Sequence, residues 1–145
     1  MKALLQRVSQ SSVAVDGQLI SAVKQGLLVL LGVEQDDSSE NVLALSKKIA
    51  NLRIFEDKQG KMNLSVMDIQ GEILVISQFT LMANTHKGNR PSFVKAAPPE
   101  IAQPLIAEFC GKLRECGLTV KEGVFGAHML VSLVNDGPVT IWLEN

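Results

Sequence analysis

The chain has 145 residues, the usual length of one domain, and we expect a single domain over residues 1–145. Hydrophobic residues make up 46% of it but aromatic residues only 4%, which disfavours a site lined with stacking rings. The formal charge is −1, whereas a protein dedicated to duplex nucleic acid is normally clearly basic, so charge alone argues against a nucleic-acid partner.

Soft metal ligands are few: Cys110, Cys116, His86 and His128. Their spacings match no zinc finger or ribbon, and the standard cofactor motifs are missing, so we expect no metal and no cofactor. The two cysteines fall on one predicted helix at positions that face different ways, which predicts reduced thiols. Apolar runs are too short for a signal peptide or a membrane span, so we expect a soluble cytoplasmic protein without membrane contact.

The first elements are predicted from turn and capping signals. Asp16-Gly17 between β-formers predicts a hairpin. The glycine-bounded apolar run 26–33 predicts a strand covered on both faces. Ser38 or Ser39 then caps a predicted helix with one buried face.

Further along, short strands are predicted at 53–55 and 64–66, and a buried strand from Ile73 continues to Leu81 without a breaker. Residues 82–99 have no regular period and predict a long loop, of a length that is usually functional or mobile. A second helix covers about 100–116. Pro104 is best tolerated in a first helical turn, which favours a start later than Glu100.

Three more strands are predicted at 118–121, 127–134 and 139–143. The total is about eight strands and two helices. This predicts an α/β (α+β) fold, namely a curled mixed β-sheet or β-barrel-like domain with helices packed outside it.

Polar residues interrupt one buried strand at Ser77, Gln78 and Thr80. Either the strand emerges at the sheet edge, where they are solvated, or it lines a pocket in which hydroxyls and backbone N–H groups bind a polarised carbonyl. A Ser77 or Thr80 nucleophile requires an adjacent base. His86 and His128 are the candidates, but no spacing supports either.

The sequence Asn135-Asp136-Gly137-Pro138-Val139-Thr140 is a second polar interruption. It predicts either a plain turn between two strands or a rigid backbone feature built on a cis Gly137-Pro138 bond. In the second case, the surface at Gly137 has no side chain. Such a surface binds an ammonium group and clashes with a substituent on one face of a carbon, which is chiral selection by sterics.

Together these two motifs closely resemble those of the D-aminoacyl-tRNA deacylases of the bacterial and eukaryotic type. The resemblance extends over essentially the whole chain. Its further matches are Gln6-Arg7-Val8, Ser12-Val13, Arg90-Pro91-Ser92-Phe93 and Gly123-Val124-Phe125-Gly126-Ala127-His128-Met129.

The resemblance implies hydrolysis of the ester between tRNA and a D-amino acid, or glycine mischarged on a non-cognate tRNA. It implies a barrel-like fold and a homodimer with active sites at the interface, where Gly137-Pro138 of one subunit enters the partner's pocket and rejects L-amino acids. Our hypothesis for the mechanism is that water attacks the ester carbonyl with help from the 2′-hydroxyl of the terminal adenosine, and the competing hypothesis is that Thr80 is a covalent nucleophile. The implied partner is the 3′ acceptor end of aminoacyl-tRNA, and no DNA partner is expected.

By the same resemblance, the catalytic residues are Ser77, Gln78, Phe79 and Thr80, and the substrate-binding residues are Gly137, Pro138, Arg7, Phe125 and Met129. Lys87, Arg90 and Lys95 fall in an acid-free stretch between Glu72 and Glu100, so they are candidate tRNA contacts. A protein that holds only the end of tRNA needs few phosphate contacts, and near-zero charge is compatible with that.

Two functions from other classes remain. A Ser/Thr-dependent hydrolase of small esters would use Ser77 and Thr80 without needing tRNA. A non-catalytic RNA-binding module would bind without turnover. A zinc-dependent deacylase of archaeal type is disfavoured by the shortage of ligands.

Overall fold

Eight strands and two helices make up the structure, a computed structural model that describes residues 1–145. The strands are β1 (Lys2–Val15), β2 (Gln18–Val23), β3 (Gly26–Gly32), β4 (Phe55–Glu56), β5 (Met62–Leu64), β6 (Glu72–Ser77), β7 (Thr119–Glu122) and β8 (Leu130–Glu144), and the helices are α1 (Ser39–Ala50) and α2 (Pro99–Glu115). The predicted α+β content is confirmed.

Six of the strands form one mixed sheet in the order β2-β1-β3-β6-β7, with β8 paired to β1. The β3-β6 and β6-β7 pairs are parallel and the others antiparallel. The sheet curls until its ends meet: Ser21 Oγ of β2 donates to Glu122 O of β7 at 2.8 Å, and Lys121 Nζ donates to Ala22 O at 2.6 Å. These bonds nearly close the sheet, as the prediction of a curled sheet requires.

Strand β3 is buried on both faces, as predicted. Leu27, Val29 and Leu31 belong to the larger hydrophobic cluster, which also contains the buried faces of both helices. Leu28 belongs to the smaller cluster inside the curl of the sheet, with Val13 and other aliphatic side chains. One strand therefore contributes to two cores.

The predicted hairpin and first helix are confirmed. Val15 pairs with Gln18 around Asp16 and Gly17, both of which have the positive φ that a tight hairpin turn favours. Ser38 is the N-cap residue of α1, and its N–H donates to Asn41 Oδ1 at 3.0 Å.

Three predictions about the course of the chain are wrong, and the short strands are displaced, because β4 begins two residues later and β5 two residues earlier than predicted. The strand through Ile73 does not reach Leu81: β6 ends at Ser77, and a 3₁₀ turn follows over Phe79–Met82. Helix α2 begins at Pro99 and contains Pro104 in its interior. That proline is exposed, so the distortion falls on the solvent side, while Phe109 and Leu113 pack in the core and stabilise the helix.

The third correction concerns the predicted strands 127–134 and 139–143. They are one strand, β8, because residues on both sides of Pro138 pair antiparallel with the same strand, β1. The intervening residues are an irregularity within β8, and the chain does not reverse there. The plain-turn interpretation is therefore wrong.

The two cysteines are free thiols at different depths. Cys110 is buried in α2, and burial raises the pKa of its thiol to about 12, whereas Cys116, just past the end of α2, is exposed. No helix is both long enough and apolar enough to cross a membrane.

Candidate active site

A cavity of about 470 Å³ lies at the carboxyl ends of the parallel strands β3 and β6. Carboxyl ends of parallel strands are a common position for binding sites in α/β sheets. The walls come from three further places, which are the segment before α2, the first turns of α2 and the loop that leads into β8. The residues that line the cavity include Gly32, Ser77, Gln78, Phe79, Ala102, Ile106, Phe125, His128 and Met129.

The 3₁₀ turn after β6 is held close to the end of β3. Gln78 N–H donates to Leu31 O at 2.8 Å, which extends the ladder by one bond. A Cβ on Gly32 would lie 2.9 Å from Gln78 O and 2.6 Å from Met82 Cε, so only glycine allows this approach.

The beginning of that turn leaves backbone donors unused. The first N–H groups of a helix have no acceptor within it. Neither the Phe79 nor the Thr80 N–H donates to any loop or side-chain acceptor of the chain. Two N–H groups of this turn thus have no partner, and one of them belongs to Phe79, which lines the cavity.

The hydroxyls near the cavity have no base. Thr80 is exposed, and its Oγ1 accepts a hydrogen bond from the Gln78 amide, which is not a base. Ser77 lines the cavity but makes no side-chain hydrogen bond. His128 also lines the cavity without bonding to either hydroxyl, and His86 lies exposed in the loop that follows.

Beside the cavity, an exposed basic loop follows the 3₁₀ turn. Asn84 and Ser92 pair through two backbone hydrogen bonds, of 2.8 and 3.0 Å, and close the loop. The Phe93 ring then packs edge-on against Phe79, with centroids 5.1 Å apart. The basic side chains of this region, Lys87, Arg90 and Lys95, are exposed and form no ion pair.

A bulge in β8 forms a second polar feature. Gln6 pairs with Thr140 and Val8 with Asn135, so the four residues Asp136–Val139 lie opposite the single residue Arg7. We call Asp136–Val139 the β8 bulge. Gly137 and Pro138 are exposed in it, and the bond between them is cis.

Arg7 supports the β8 bulge from beneath. Its side chain is 7% exposed, and its guanidinium donates from Nε to Asp136 O and from Nη1 to Ile54 O, both at 2.7 Å. The Asp136 carboxylate lies 3.6 Å from Nε. The guanidinium therefore ties the base of the bulge to the segment before β4.

The structure divides the predicted site residues into two groups. Ser77, Gln78, Phe79, Phe125 and Met129 line the cavity, with Thr80 beside them. Gly137, Pro138 and Arg7 do not line it. Within one chain, the two motifs of the sequence thus form separate features.

Sequence reasoning missed several residues of both features. Gly32, Ala102 and Ile106 carry no polar group, and only the fold brings them to the cavity. Asn135 belongs to the motif Asn135–Thr140, but the sequence assigns it no role. Its side chain bonds to the backbone of Arg7 and Val139, which no spacing in the sequence predicts.

The fold and site define an α+β protein with a pocket built largely from apolar side chains and backbone groups. The family model for D-Tyr-tRNA(Tyr) deacylase matches residues 4–144. The chain is 57% identical to the D-aminoacyl-tRNA deacylase of Thermomicrobium roseum over 145 residues, which is 100% of this chain and 94% of that one. It is 56% identical to the D-aminoacyl-tRNA deacylase of Flavobacterium psychrophilum, covering 100% and 97%.

Two solved structures are also similar. One, called a c-Myc DNA unwinding element binding protein, has a TM-score of 0.94 and 48% identity and covers 100% of this chain and 99% of its own. The other, called a probable eukaryotic D-amino acid tRNA deacylase, has a TM-score of 0.85 at 17% identity, covering 98% and 97%. The chain belongs to the D-aminoacyl-tRNA deacylase family, an enzyme family, and the predicted resemblance is confirmed.

Proposed function

We propose that this protein hydrolyses the ester bond of D-aminoacyl-tRNA, releasing the D-amino acid and free tRNA. The observation that carries the proposal is the cavity beside the two unused N–H groups, in a chain of this family. Because charged tRNA is the substrate, we place the enzyme in the cytoplasm.

The backbone N–H groups of Phe79 and Thr80 are the proposed oxyanion hole. Ester hydrolysis develops negative charge on the carbonyl oxygen, and fixed N–H donors stabilise that charge without reorganising. Removing one such donor typically costs about 100- to 1,000-fold in rate. Because these donors are backbone groups, they act on any amino acid ester that reaches them.

Water is the proposed nucleophile, with the 2′-hydroxyl of the terminal adenosine assisting. Thr80 Oγ1 accepts a hydrogen bond from the Gln78 side-chain amide, and the Ser77 hydroxyl forms no side-chain hydrogen bond. A covalent nucleophile requires an adjacent base, so neither hydroxyl is activated. A substrate hydroxyl next to the ester is already positioned by the ribose, and such intramolecular groups act at high effective concentration.

The β8 bulge of a second subunit is the proposed chiral filter. Gly137 and Pro138 are exposed and lie outside their own chain's cavity, so a second copy could present them to it. Strand β8 also exposes Leu130, Val134 and Trp142, which are 62%, 49% and 45% exposed, and apolar exposure of this kind suits a subunit contact. A homodimer would therefore complete two composite sites.

In such a site, the backbone of Gly137 and Pro138 would hold the α-amino group and clash with an L side chain. A D side chain would point away from this backbone, and glycine has none to exclude. We therefore propose that glycyl-tRNA mischarged on a non-cognate tRNA is also a substrate. The basic loop with Lys87, Arg90 and Lys95 is the proposed contact for the acceptor end of tRNA.

The test is release of amino acid from matched D- and L-aminoacyl-tRNA. We expect the D ester to be hydrolysed at least about 100-fold faster than the L ester, a difference of about 2.7 kcal/mol in activation free energy. Equal rates would exclude chiral selection. Equal activity on free aminoacyl esters would favour the small-ester hydrolase instead, and binding of tRNA without turnover would favour the RNA-binding module.

One similar structure is called a c-Myc DNA unwinding element binding protein, so DNA is included in the test. We propose no DNA function for this chain, because a protein dedicated to duplex nucleic acid is normally clearly basic and this chain has a formal charge of −1. Single-stranded and duplex DNA, added as competitors, should leave deacylation unchanged at physiological salt. Strong inhibition by DNA at equal concentration would contradict this expectation.

A further inference from the structure

We propose that Asn135 is a positioning residue, whose side-chain amide fixes the β8 bulge and thereby sets the preference for D- over L-aminoacyl esters. The inference rests on the proposed function, because it assigns a role within that chiral filter. Asn135 does not line the cavity, and it forms no hydrogen bond with Gly137.

The β8 bulge interrupts the hydrogen-bond ladder between β1 and β8. Regular pairing stops at Val8 with Asn135 and resumes at Gln6 with Thr140. The backbone groups of Arg7 and Val139 in this gap lose their strand partners. Buried polar groups without partners are costly, so something else must satisfy them.

The side chain of Asn135 takes over the missing pairing. Its Nδ2 donates to Val139 O at 2.9 Å and to Arg7 O at 3.1 Å, and its Oδ1 accepts from Val139 N–H at 3.1 Å. An asparagine side-chain amide has two N–H donors and one carbonyl acceptor, and all three groups form a hydrogen bond here. The amide behaves as a peptide group inserted into the ladder.

These bonds close the β8 bulge at both ends. Asn135 immediately precedes it, Val139 ends it, and Val139 is only 8% exposed within the larger hydrophobic cluster. The exposed pair Gly137 and Pro138 lies between two fixed points. Arg7 donates a hydrogen bond to Asp136 O, so Arg7 and Asn135 stabilise different residues of the bulge.

Asn135 and Arg7 also differ in how they hold the bulge. Arg7 acts through a charged group that reaches several segments, whereas Asn135 acts through neutral bonds within the gap itself. A site must hold its contacting groups to within about 0.5 Å, and loss of the Asn135 bonds frees the end of the bulge at Val139. Selectivity should then fall even where the protein stays folded.

The test compares Asn135→Asp and Asn135→Ala with the wild-type protein on D- and L-aminoacyl-tRNA. Asn135→Asp preserves the shape of the side chain and the acceptor for Val139 N–H. It replaces the Nδ2 donor with a carboxylate oxygen, which the carbonyl oxygens of Arg7 and Val139 repel. We expect the ratio of D to L hydrolysis to fall about 10- to 100-fold in both variants. The KM for tRNA should stay within about twofold, because the bulge contacts the amino acid and not the tRNA.

The matched control is Asn51→Ala. Asn51 Nδ2 also donates to a backbone carbonyl, Lys47 O, at 2.8 Å, but it lies at the end of α1. This variant should lose a comparable bond and keep the wild-type ratio of D to L hydrolysis. Assays at a temperature well below every melting midpoint separate selectivity from folding.

The outcomes distinguish the two proposals. A wild-type protein that does not prefer D esters removes the proposed function, and the inference with it. A wild-type protein that prefers D esters, together with folded Asn135 variants that keep the same ratio, removes only the inference. If Asn135→Ala does not fold, the near-isosteric Asn135→Asp decides the question by the same ratio.

Discussion

The cavity and the β8 bulge are two halves of one proposed site, yet they are built in opposite ways. The cavity is concave, and its walls continue directly into strands β3 and β6, whose side chains pack in both hydrophobic clusters. The β8 bulge is exposed at Gly137 and Pro138, and the side chains of Arg7 and Asn135 support it through hydrogen bonds. Its geometry therefore depends on a few polar bonds.

This difference suggests a division of tasks. On the proposed function, the cavity supplies the chemistry, because its backbone donors do not distinguish one amino acid from another. On the same proposal, the bulge supplies the discrimination, because its shape has little room for change. Substitutions in the two regions should consequently produce different kinds of defect.

The largest effect is expected from Gly137→Ala in the bulge. An added Cβ would lie 2.0 Å from Val139 N and 3.2 Å from Asn135 Oδ1, so the backbone must move. A displacement of about 1 Å in a positioning element costs about 100-fold in rate, and we expect such a loss of kcat/KM on D-aminoacyl-tRNA. Steady-state deacylation measures it.

The control for that variant is Gly111→Ala, in helix α2. A Cβ there meets no atom within 4 Å, so the same chemical change should leave deacylation at the wild-type rate. If Gly137→Ala retained full activity and selectivity, the bulge would have no part in the site.

A smaller effect is expected from reversing charge on the basic loop with Lys87→Glu and Arg90→Glu. Both side chains are exposed and unpaired, so folding should be unaffected. We expect KM for charged tRNA to rise about tenfold and its salt dependence to weaken, because fewer counterions are released. Lys58→Glu and Lys61→Glu, in the turn between β4 and β5, are the control. Unchanged tRNA affinity in Lys87→Glu and Arg90→Glu would show that this loop does not contact tRNA.

The smallest effect is expected from Thr80→Ala. Its hydroxyl is bonded to the Gln78 amide and has no base, while its proposed contribution is a backbone N–H that alanine keeps. Deacylation should stay within about threefold of wild type, whereas loss of a covalent nucleophile would reduce it by about 10,000-fold or more. Loss on that scale would establish the covalent route.

Prediction from the sequence succeeded where a local signal determines the structure. Asp16-Gly17 defines a hairpin, and the apolar run of β3 is buried on both faces as its composition predicts. Where long-range pairing decides, prediction failed. Nothing local to Asn135–Thr140 shows that both flanks pair with β1, so the sequence predicts two separate strands where the structure has one strand with a bulge.

The candidate site shows the same limit. The resemblance named residues of both features, but only the fold shows that they are apart within one chain. Gly32 and Asn135 escaped prediction because their roles are a close approach to Gln78 O and a set of bonds to the backbone of another strand. Neither role leaves a pattern in the sequence.

The central claim is that the cavity of one subunit works with the bulge of another. The most direct measurement is deacylation by a mixed dimer that pairs Gly137→Ala with Ala127→Phe, a substitution that fills the cavity lined by Ala127. Alone, Gly137→Ala should lose about 100-fold in rate, and Ala127→Phe should lose activity because the filled cavity excludes the ester. The mixed dimer contains one intact cavity facing one intact bulge, so the account predicts about half of the wild-type rate. A mixed dimer as inactive as its parents would contradict it, because the bulge would then serve its own chain's cavity.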